Sequence, residues 1–238
     1  MIVPVAPVEC VLAQATVEIV MAAARGARTP EPLRLARCLA RTARSQGGAF
    51  VDARLERAAF MHASDLHAGN GDRSDQITDL VREGGEVIVQ VVKDPIGTKG
   101  ARLTTHISLP ARFLVYLPYA RDIGISRRLT DDEERERLRE VVREFDMPGG
   151  WIIRTAAEGQ GHVELEADRD YLLRLWRRIQ DTDNHARAPS LVHRELSPIL
   201  RAVRDMFRDT VQEAWVDDEE SFQEVLDFLE QSDPGLVP

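Results

Sequence analysis

This sequence contains few lysines and few cysteines, and it has no excess of positive charge. Only Lys93 and Lys99 are lysines among 31 basic residues, and acidic residues outnumber basic ones, so 238 residues carry a formal net charge of −9. Proteins that coat nucleic acid by bulk charge need clustered Lys and Arg to displace counterions from phosphates. The composition excludes that class, and any nucleic-acid site must be local.

The two cysteines, Cys10 and Cys38, belong to no CxxC or Cys/His spacing. A cysteine-based zinc site and a disulfide framework are therefore not predicted. The first 24 residues are apolar, but Glu9, Glu18 and two prolines interrupt them and no basic start precedes them. Signal peptides and membrane spans do not normally look like this. We expect a cytoplasmic protein with no membrane partner.

The composition changes near Gln46. Before that residue there is no Asp, Lys, Asn or Phe, and Pro30 and Pro32 interrupt any helical pattern. From Gly48 onward the sequence is typical of a globular protein. Residues 1–47 are therefore predicted to be a separate N-terminal segment.

Short runs rich in Val, Ile and Phe predict strands, the clearest being the run EVIVQVVK after the turn pair Gly84 and Gly85. The predicted strands are Phe50–Ala53, Ala59–His62, Glu86–Lys93, Arg102–Ser108, Phe113–Leu117 and Trp151–Thr155.

Apolar residues at helical spacing predict helices between and after these strands. Thr130 and Glu133 form a candidate capping box for the first helix, and a polar linker is predicted from Asp181 to Pro189. In the last helix Phe222, Val225 and Leu226 are predicted to point inward. The predicted helices are Thr130–Phe145, Asp170–Ile179, Pro198–Val211 and Ser221–Leu229.

Several colinear motifs connect the chain from Gly48 onward with a known family. They include GAFVDARLERAAFMHASDL from Gly48, VVKDPIGTKGARLTTHISLP from Val91, FLVYLP from Phe113 and WIIRTAAEG from Trp151. In these motifs the sequence resembles the front half of the bacterial ribonuclease E/G family.

The resemblance implies an α+β fold with three parts. They would be an incomplete S1/OB-fold barrel at residues 48–105, an inserted 5′-sensor subdomain at 106–189 and a partial RNase-H-like helical subdomain at 190–238. Nothing before Gly48 matches the first strands of the barrel or of the RNase-H-like part. For that reason the barrel is expected to be incomplete.

The resemblance also implies a surface for single-stranded RNA. Phe50 and Phe60 would stack on bases, and Lys99 would contact a phosphate. Stacking suits splayed single strands and does not depend on base identity. The residues alone leave two other interpretations open: both phenylalanines belong to the barrel core, as Phe usually does, and Lys99 is a solvated turn residue.

A second implied site senses a 5′-monophosphate. Arg154 and Thr155 would bind the phosphate with their side chains, Val115 would donate its backbone N–H, and Ala111 stands where relatives often carry Gly or Ser. A guanidinium offers a two-point fork to phosphate oxygens, and a hydroxyl adds a third bond. Without the surrounding motif, the Arg-Thr pair would be interpreted as part of a surface ion pair.

Cleavage in the family uses carboxylates that hold magnesium, in a DNase-I-like domain whose motifs are not found in this sequence. We therefore predict no catalytic residue, no metal ligand and no cofactor in this chain. The acidic stretches Asp131–Glu136 and Asp217–Glu220 are interpreted as solvated. Three functions stay open: an RNA-binding portion of an endoribonuclease for rRNA maturation and mRNA decay, with a separate catalytic half; a freestanding RNA-binding module; and a non-functional gene fragment.

Overall fold

The structure is a computed structural model that describes residues 17–21, 34–43, 48–53, 57–67, 81, 84–207 and 211–232. Its strands and helices are, in chain order, β1 (Val17–Met21), β2 (Arg34–Ala43), β3 (Gly48–Asp52), β4 (Ala59–His62), β5 (Glu86–Lys93), β6 (Arg102–Thr104), β7 (Leu109–Pro110), β8 (Leu114–Leu117), β9 (Ile123–Ile125), α1 (Asp132–Arg143), β10 (Gly150–Ile153), α2 (His162–His185), β11 (Ser190–Arg194), α3 (Pro198–Met206), β12 (Val211–Val216) and α4 (Glu219–Ser232).

The chain divides into two compact units. The larger one is Arg28–Leu196, and the smaller one combines Met1–Ala27 with Ser197–Pro238. Strands and helices occur in both units, so the α+β class is confirmed. The predicted borders between the barrel, the sensor and the RNase-H-like part stay a prediction.

The larger unit contains a curled sheet with the strand order β11-β2-β3-β4-β6-β5. Because β2 also pairs with β5, the pairing runs from β2 through β3, β4, β6 and β5 and returns to β2. The contact of β4 with β6 is parallel, whereas the other neighbours in this sheet are antiparallel. A small curled sheet of this order is consistent with an OB-like fold.

Alternation along the strands separates the interior of the curled sheet from its outer face. Every second side chain points inward in a strand, and the buried members form one cluster. This cluster includes Ala49, Val51, Ala59, Met61, Val89 and Leu103. The residues between them, including Phe50 and Phe60, therefore face outward.

One strand of the curled sheet, β2, precedes Gly48, within the segment 1–47 in which no match to the barrel was found. Strand β2 pairs with β3 from Leu39 opposite Asp52 to Ala43 opposite Gly48, and it pairs with β5 on its other edge. Strand β2 is therefore paired through its backbone along both edges. Tertiary pairing of this kind decides strand formation more strongly than local composition does.

A second sheet of the larger unit has the order β7-β8-β10-β9, and α1 and α2 pack against it. The buried side chains of this core come from both the sheet and the helices; they include Leu114, Trp151, Ile153, Leu138, Leu165, Leu172 and Trp176. Strands β8 and β10 confirm the two predicted here: β8 begins one residue later than predicted, and β10 begins one residue earlier and ends two residues earlier. The strand predicted at Arg102–Ser108 ends at Thr104.

The predicted capping box of α1 is wrong in its first member. Asp131, not Thr130, caps the helix, because its carboxylate accepts from the N–H of Glu133 at 3.0 Å. An ionised side chain at this position also meets the positive end of the helix dipole.

Helix α2 is longer than predicted at both ends and has 24 residues. The predicted linker at Asp181–Pro189 therefore begins as helix, and Asp183 and Asn184 lie in its last turn. The residues from Asp181 to His185 are all polar, so no apolar spacing marks this part of the helix. None of the helices that the structure describes is long and apolar enough to cross a membrane.

In the smaller unit β1 and β12 are parallel neighbours. Leu200 and Val203 of α3 and Val225 and Leu229 of α4 are buried, which confirms the two predicted helices while changing their ends. The prediction that Phe222 points inward is wrong, because 42% of its surface is exposed.

Candidate functional site

Phe50 and Phe60 stand next to each other on the outer face of the curled sheet. They are partners in the antiparallel register of β3 and β4, and their ring centroids lie 5.6 Å apart, edge to face. Phe50 keeps 40% of its surface exposed, and Phe60 is half-buried. The full burial that the core interpretation requires is not observed. Their contact with RNA stays a prediction.

The ring of Phe60 lies directly over Gly48. A Cβ added at Gly48 would come within 2.4 Å of the ring atom Cζ. The absence of a side chain at Gly48 therefore lets the ring pack against the backbone of β3. Arg102 is the partner of Phe60 on β6. Its guanidinium forms a two-point ion pair with Asp65, from Nε to Oδ2 at 3.1 Å and from Nη2 to Oδ1 at 3.3 Å. Arg102 was not among the predicted site residues, although its place before the inward Leu103 marks it as outward.

Lys99 lies at the end of the turn that connects β5 with β6, and it is exposed. Gly97 in this turn has a φ of 58°, a left-handed conformation that favours glycine. The carbonyl of Gly97 accepts from Nη1 of Arg57 at 2.7 Å. Two residues after Lys99, the carbonyl of Ala101 accepts from the N–H of Phe60 at 2.8 Å. A short stretch of main chain therefore links Lys99 to the ring pair.

Arg154 follows β10, and its side chain turns back to the segment before β8. Nη1 donates to the carbonyl of Ala111 and to that of Arg112 at 3.0 Å. The backbone N–H of Arg154 donates to the carbonyl of Phe113 at 2.8 Å. The contact with Ala111 is thus made through its main chain, and the carbonyl orients the guanidinium.

The amides of the same segment point the other way, to a carboxylate on α2. Oδ2 of Asp168 accepts from the N–H of Phe113 at 2.6 Å and from that of Leu114 at 2.9 Å, and Arg112 adds a backbone bond. Burial raises the pKa of Asp168 above its ordinary value, and these backbone bonds work against the rise. Asp168 was not predicted as a site residue, because its partners lie about fifty positions away in the sequence.

The hydroxyl of Thr155 lies 3.0 Å from that of Ser126. Ser126 directly follows β9, and its N–H donates to the carbonyl of Ile153 at 2.8 Å. Two exposed arginines, Arg127 and Arg128, follow it. The hydroxyl pair is therefore fixed at the end of β10, beside a local concentration of positive charge.

Val115 lies in the middle of β8, opposite Ile152 of β10. The bond from Arg154 N–H to Phe113 sets the phase of this antiparallel ladder, and by alternation Val115 and Ile152 form its next hydrogen-bonded pair. The N–H of Val115 is therefore directed at β10. Its donation to a phosphate stays a prediction.

The acidic stretches have local partners. Asp131 caps α1, and Arg137 beside Glu134 lowers the pKa of that carboxyl. Asp218 accepts from the N–H of Ser221 at 3.0 Å at the start of α4. Within the described part of the chain, no group of three or more His, Cys, Asp or Glu side chains is placed to hold a metal ion.

Comparisons with known proteins agree on one family. Residues 108–238 match the model of the Ribonuclease E/G family. Ribonuclease G of Escherichia coli is 42% identical over 199 residues, which is 79% of this chain and 41% of that protein. Ribonuclease G of Haemophilus influenzae is 42% identical over 198 residues, at 79% and 40% coverage. Ribonuclease E of Nostoc sp. is 37% identical over 185 residues, at 77% and 27%. The chain thus spans about two fifths of the ribonuclease G relatives' length.

Proposed function

The chain belongs to the ribonuclease E/G family, and we propose on that premise that it is the RNA-binding portion of a single-strand-specific endoribonuclease. The observation that carries this proposal is the pair of partly exposed rings, Phe50 and Phe60, on the outer face of an OB-like sheet. Exposed aromatic rings on neighbouring strands are a surface on which successive bases can stack.

The curled sheet takes the role of an S1-type domain in this proposal. Phe50 presents the more open ring, and Phe60 holds it in place through the edge contact. Lys99 lies close along the main chain and supplies positive charge for a phosphate. Stacking contributes affinity without choosing a sequence, whereas the 2′-hydroxyl and the phosphates distinguish a single strand of RNA from other ligands.

The second sheet with α1 and α2 takes the role of the inserted 5′-sensor subdomain. Arg154 and Thr155 bind the terminal phosphate of an RNA that begins with a 5′-monophosphate. Donation from the backbone N–H of Val115 to the same phosphate would require that group to leave its pairing with β10. Ala111 contributes through the carbonyl that orients Arg154, while its small side chain packs in the buried core of this sheet and its helices. The smaller unit takes the role of the RNase-H-like part.

Cleavage in such an enzyme is metal-assisted, but the described residues offer no carboxylate set for magnesium. The residues that the structure describes do not fit that ion, so no step through magnesium is assigned to them. We propose that a catalytic half, in a longer product or a second chain, supplies cleavage. RNA processing, including rRNA maturation and mRNA decay, would be the role of the assembled enzyme.

Truncating the ring pair tests the proposal. Phe50→Ala and Phe60→Ala should each weaken binding to an unstructured single-stranded RNA by about 1–3 kcal/mol, the usual worth of one lost base stack. The measurement is a fluorescence-anisotropy titration at fixed salt, because phosphate contacts make every affinity salt-dependent.

Phe222→Ala is the matched control, since it removes the same side chain at nearly the same exposure, 42% against 40%, outside the curled sheet. Its RNA affinity should equal that of the wild type. If all three variants bind RNA equally well, the rings are not the binding surface, and if the wild type binds no single-stranded RNA, the proposed function is wrong.

A further inference from the structure

Three successive peptide groups connect Asp168 with Arg154. In the peptide between Ala111 and Arg112 the carbonyl accepts from Nη1 of Arg154, and the N–H of Arg112 makes a backbone bond to Asp168. In the next peptide the carbonyl of Arg112 accepts from Nη1 at 3.0 Å, and the N–H of Phe113 donates to Asp168 at 2.6 Å. The third peptide repeats the arrangement.

In this third peptide, the carbonyl of Phe113 accepts from the backbone N–H of Arg154 at 2.8 Å. The N–H of Leu114 donates to Asp168 at 2.9 Å. Each peptide dipole therefore has its positive end at the carboxylate and its negative end at Arg154. Hydrogen bonds aligned in this way polarise one another and become stronger together.

Successive backbone N–H groups form a concave site that binds anions. Here the protein fills the site with its own carboxylate from α2, a helix distant in the sequence. The carboxylate holds three N–H groups, and the same three peptides are thereby fixed with their carbonyls turned to Arg154. A flexible arginine side chain loses conformational freedom when it is ordered, and prior ordering by the protein removes that cost from ligand binding.

We propose that Asp168 is the positioning residue of the 5′-phosphate site: its carboxylate fixes the segment Ala111–Leu114, in which the carbonyls of Ala111 and Arg112 hold the Arg154 guanidinium in its binding orientation. This inference rests on the proposed role of Arg154 in 5′-end recognition. It adds a residue that contacts no ligand and acts only through the backbone. The specificity for a monophosphorylated end then depends on a carboxylate of the same sign as the ligand.

Asp168→Asn tests the inference, because it keeps the size of the side chain and removes its charge and one acceptor. Asp170→Asn is the matched control: the same change on the same helix, at an exposed residue that pairs with Arg169. Each variant is titrated by anisotropy with one single-stranded RNA carrying either a 5′-monophosphate or a 5′-hydroxyl.

The readout is the ratio of the affinity for monophosphorylated RNA to that for hydroxyl-ended RNA. A general loss of stability would lower both affinities and leave this ratio unchanged. Asp168→Asn should reduce the wild-type ratio about tenfold, by analogy with the low end of the roughly 10- to 100-fold loss on removal of a group that orients a metal ligand. The affinity for hydroxyl-ended RNA should stay the same, and Asp170→Asn should leave both affinities unchanged. A ratio retained in Asp168→Asn overturns this inference alone. A wild-type ratio of one overturns the proposed sensor and this inference with it.

A second measurement keeps the inference testable if Asp168→Asn does not fold. In the wild type, two carbonyl bonds to Nη1 should hold the guanidinium of Arg154 so that NMR resolves its Nη1 protons from those of Nη2. Averaged signals from a freely rotating guanidinium would overturn the inference without any variant.

Discussion

Arg154→Ala isolates the 5′-end contribution from binding of the RNA body. The substitution removes the guanidinium beside Thr155 and leaves the ring pair of the curled sheet untouched. If the guanidinium contacts a terminal phosphate, its loss should weaken binding of monophosphorylated RNA and not of hydroxyl-ended RNA. The two RNAs differ only in that phosphate, so their affinity ratio reports on this contact.

The expected size follows from the bonds involved. A hydrogen bond to a charged group contributes about 1.5–3 kcal/mol, which corresponds to roughly 10- to 150-fold in Kd. Arg154 also donates to the carbonyls of Ala111 and Arg112, and leaving part-buried carbonyls without this donor should cost about 1–3 kcal/mol of folding stability. The variant is therefore expected to melt earlier but to remain folded at 25 °C.

The assay is an anisotropy titration of both RNAs with wild type and variant, at temperatures where circular dichroism shows both proteins folded. Arg174→Ala is the control, because it removes an exposed arginine from α2 and changes the net charge equally. We expect it to alter both affinities by the same small factor. An Arg154→Ala variant that keeps the wild-type preference for the monophosphate would show that this guanidinium does not read the 5′ end.

Two further predictions concern the fold. Gly100→Ala should destabilise the protein by about 1–3 kcal/mol in chemical unfolding, because a Cβ there would come within 2.0 Å of the carbonyl oxygen of Ala58. The control is Gly124→Ala, whose Cβ would meet Ile152 at an ordinary 3.5 Å and whose stability should be near that of the wild type. Equal destabilisation by both substitutions would contradict the packing at Ala58. Burial beside Arg178 lowers the pKa of His193, so the unfolded chain binds the proton more readily and folding stability should fall as the pH drops below about 6.5. Melting curves at pH 7.5 and 5.5 should show a smaller pH effect in His193→Gln than in the wild type, and an identical pH effect in both proteins would contradict this role of His193.

The local pattern of β-branched and aromatic residues predicted those strands of the larger unit whose own side chains favour an extended chain. The run Glu86–Lys93 is rich in β-branched residues, and the structure forms β5 over the same residues. The run Arg34–Ala43 shows the opposite case, because Arg, Leu and Ala favour helices. It forms β2 since β3 and β5 both offer it backbone partners, and no local pattern contains that information.

The candidate site likewise contains residues that the sequence predicted and one residue that it did not. Phe50 and Phe60 were predicted from motifs, and their outward positions follow from the alternation of β3 and β4. Arg154 and Thr155 were also found in a motif. Asp168 was not, because a polar residue on a helix predicts nothing about distant amides until the tertiary structure brings them together.

The contacts that orient Arg154 are made by the main chain, so the sequence does not reveal them. The groups that hold Arg154 are carbonyls of Ala111 and Arg112, and any residue type supplies a carbonyl. The alanine at position 111 is therefore compatible with the site, provided that the segment keeps its conformation. That conformation depends on a side chain, Asp168, whose carboxylate accepts the amides of the same segment. Position 111 should consequently accept only small residues, because Ala111 is buried in the core, whereas position 168 should require a carboxylate although it does not touch the guanidinium.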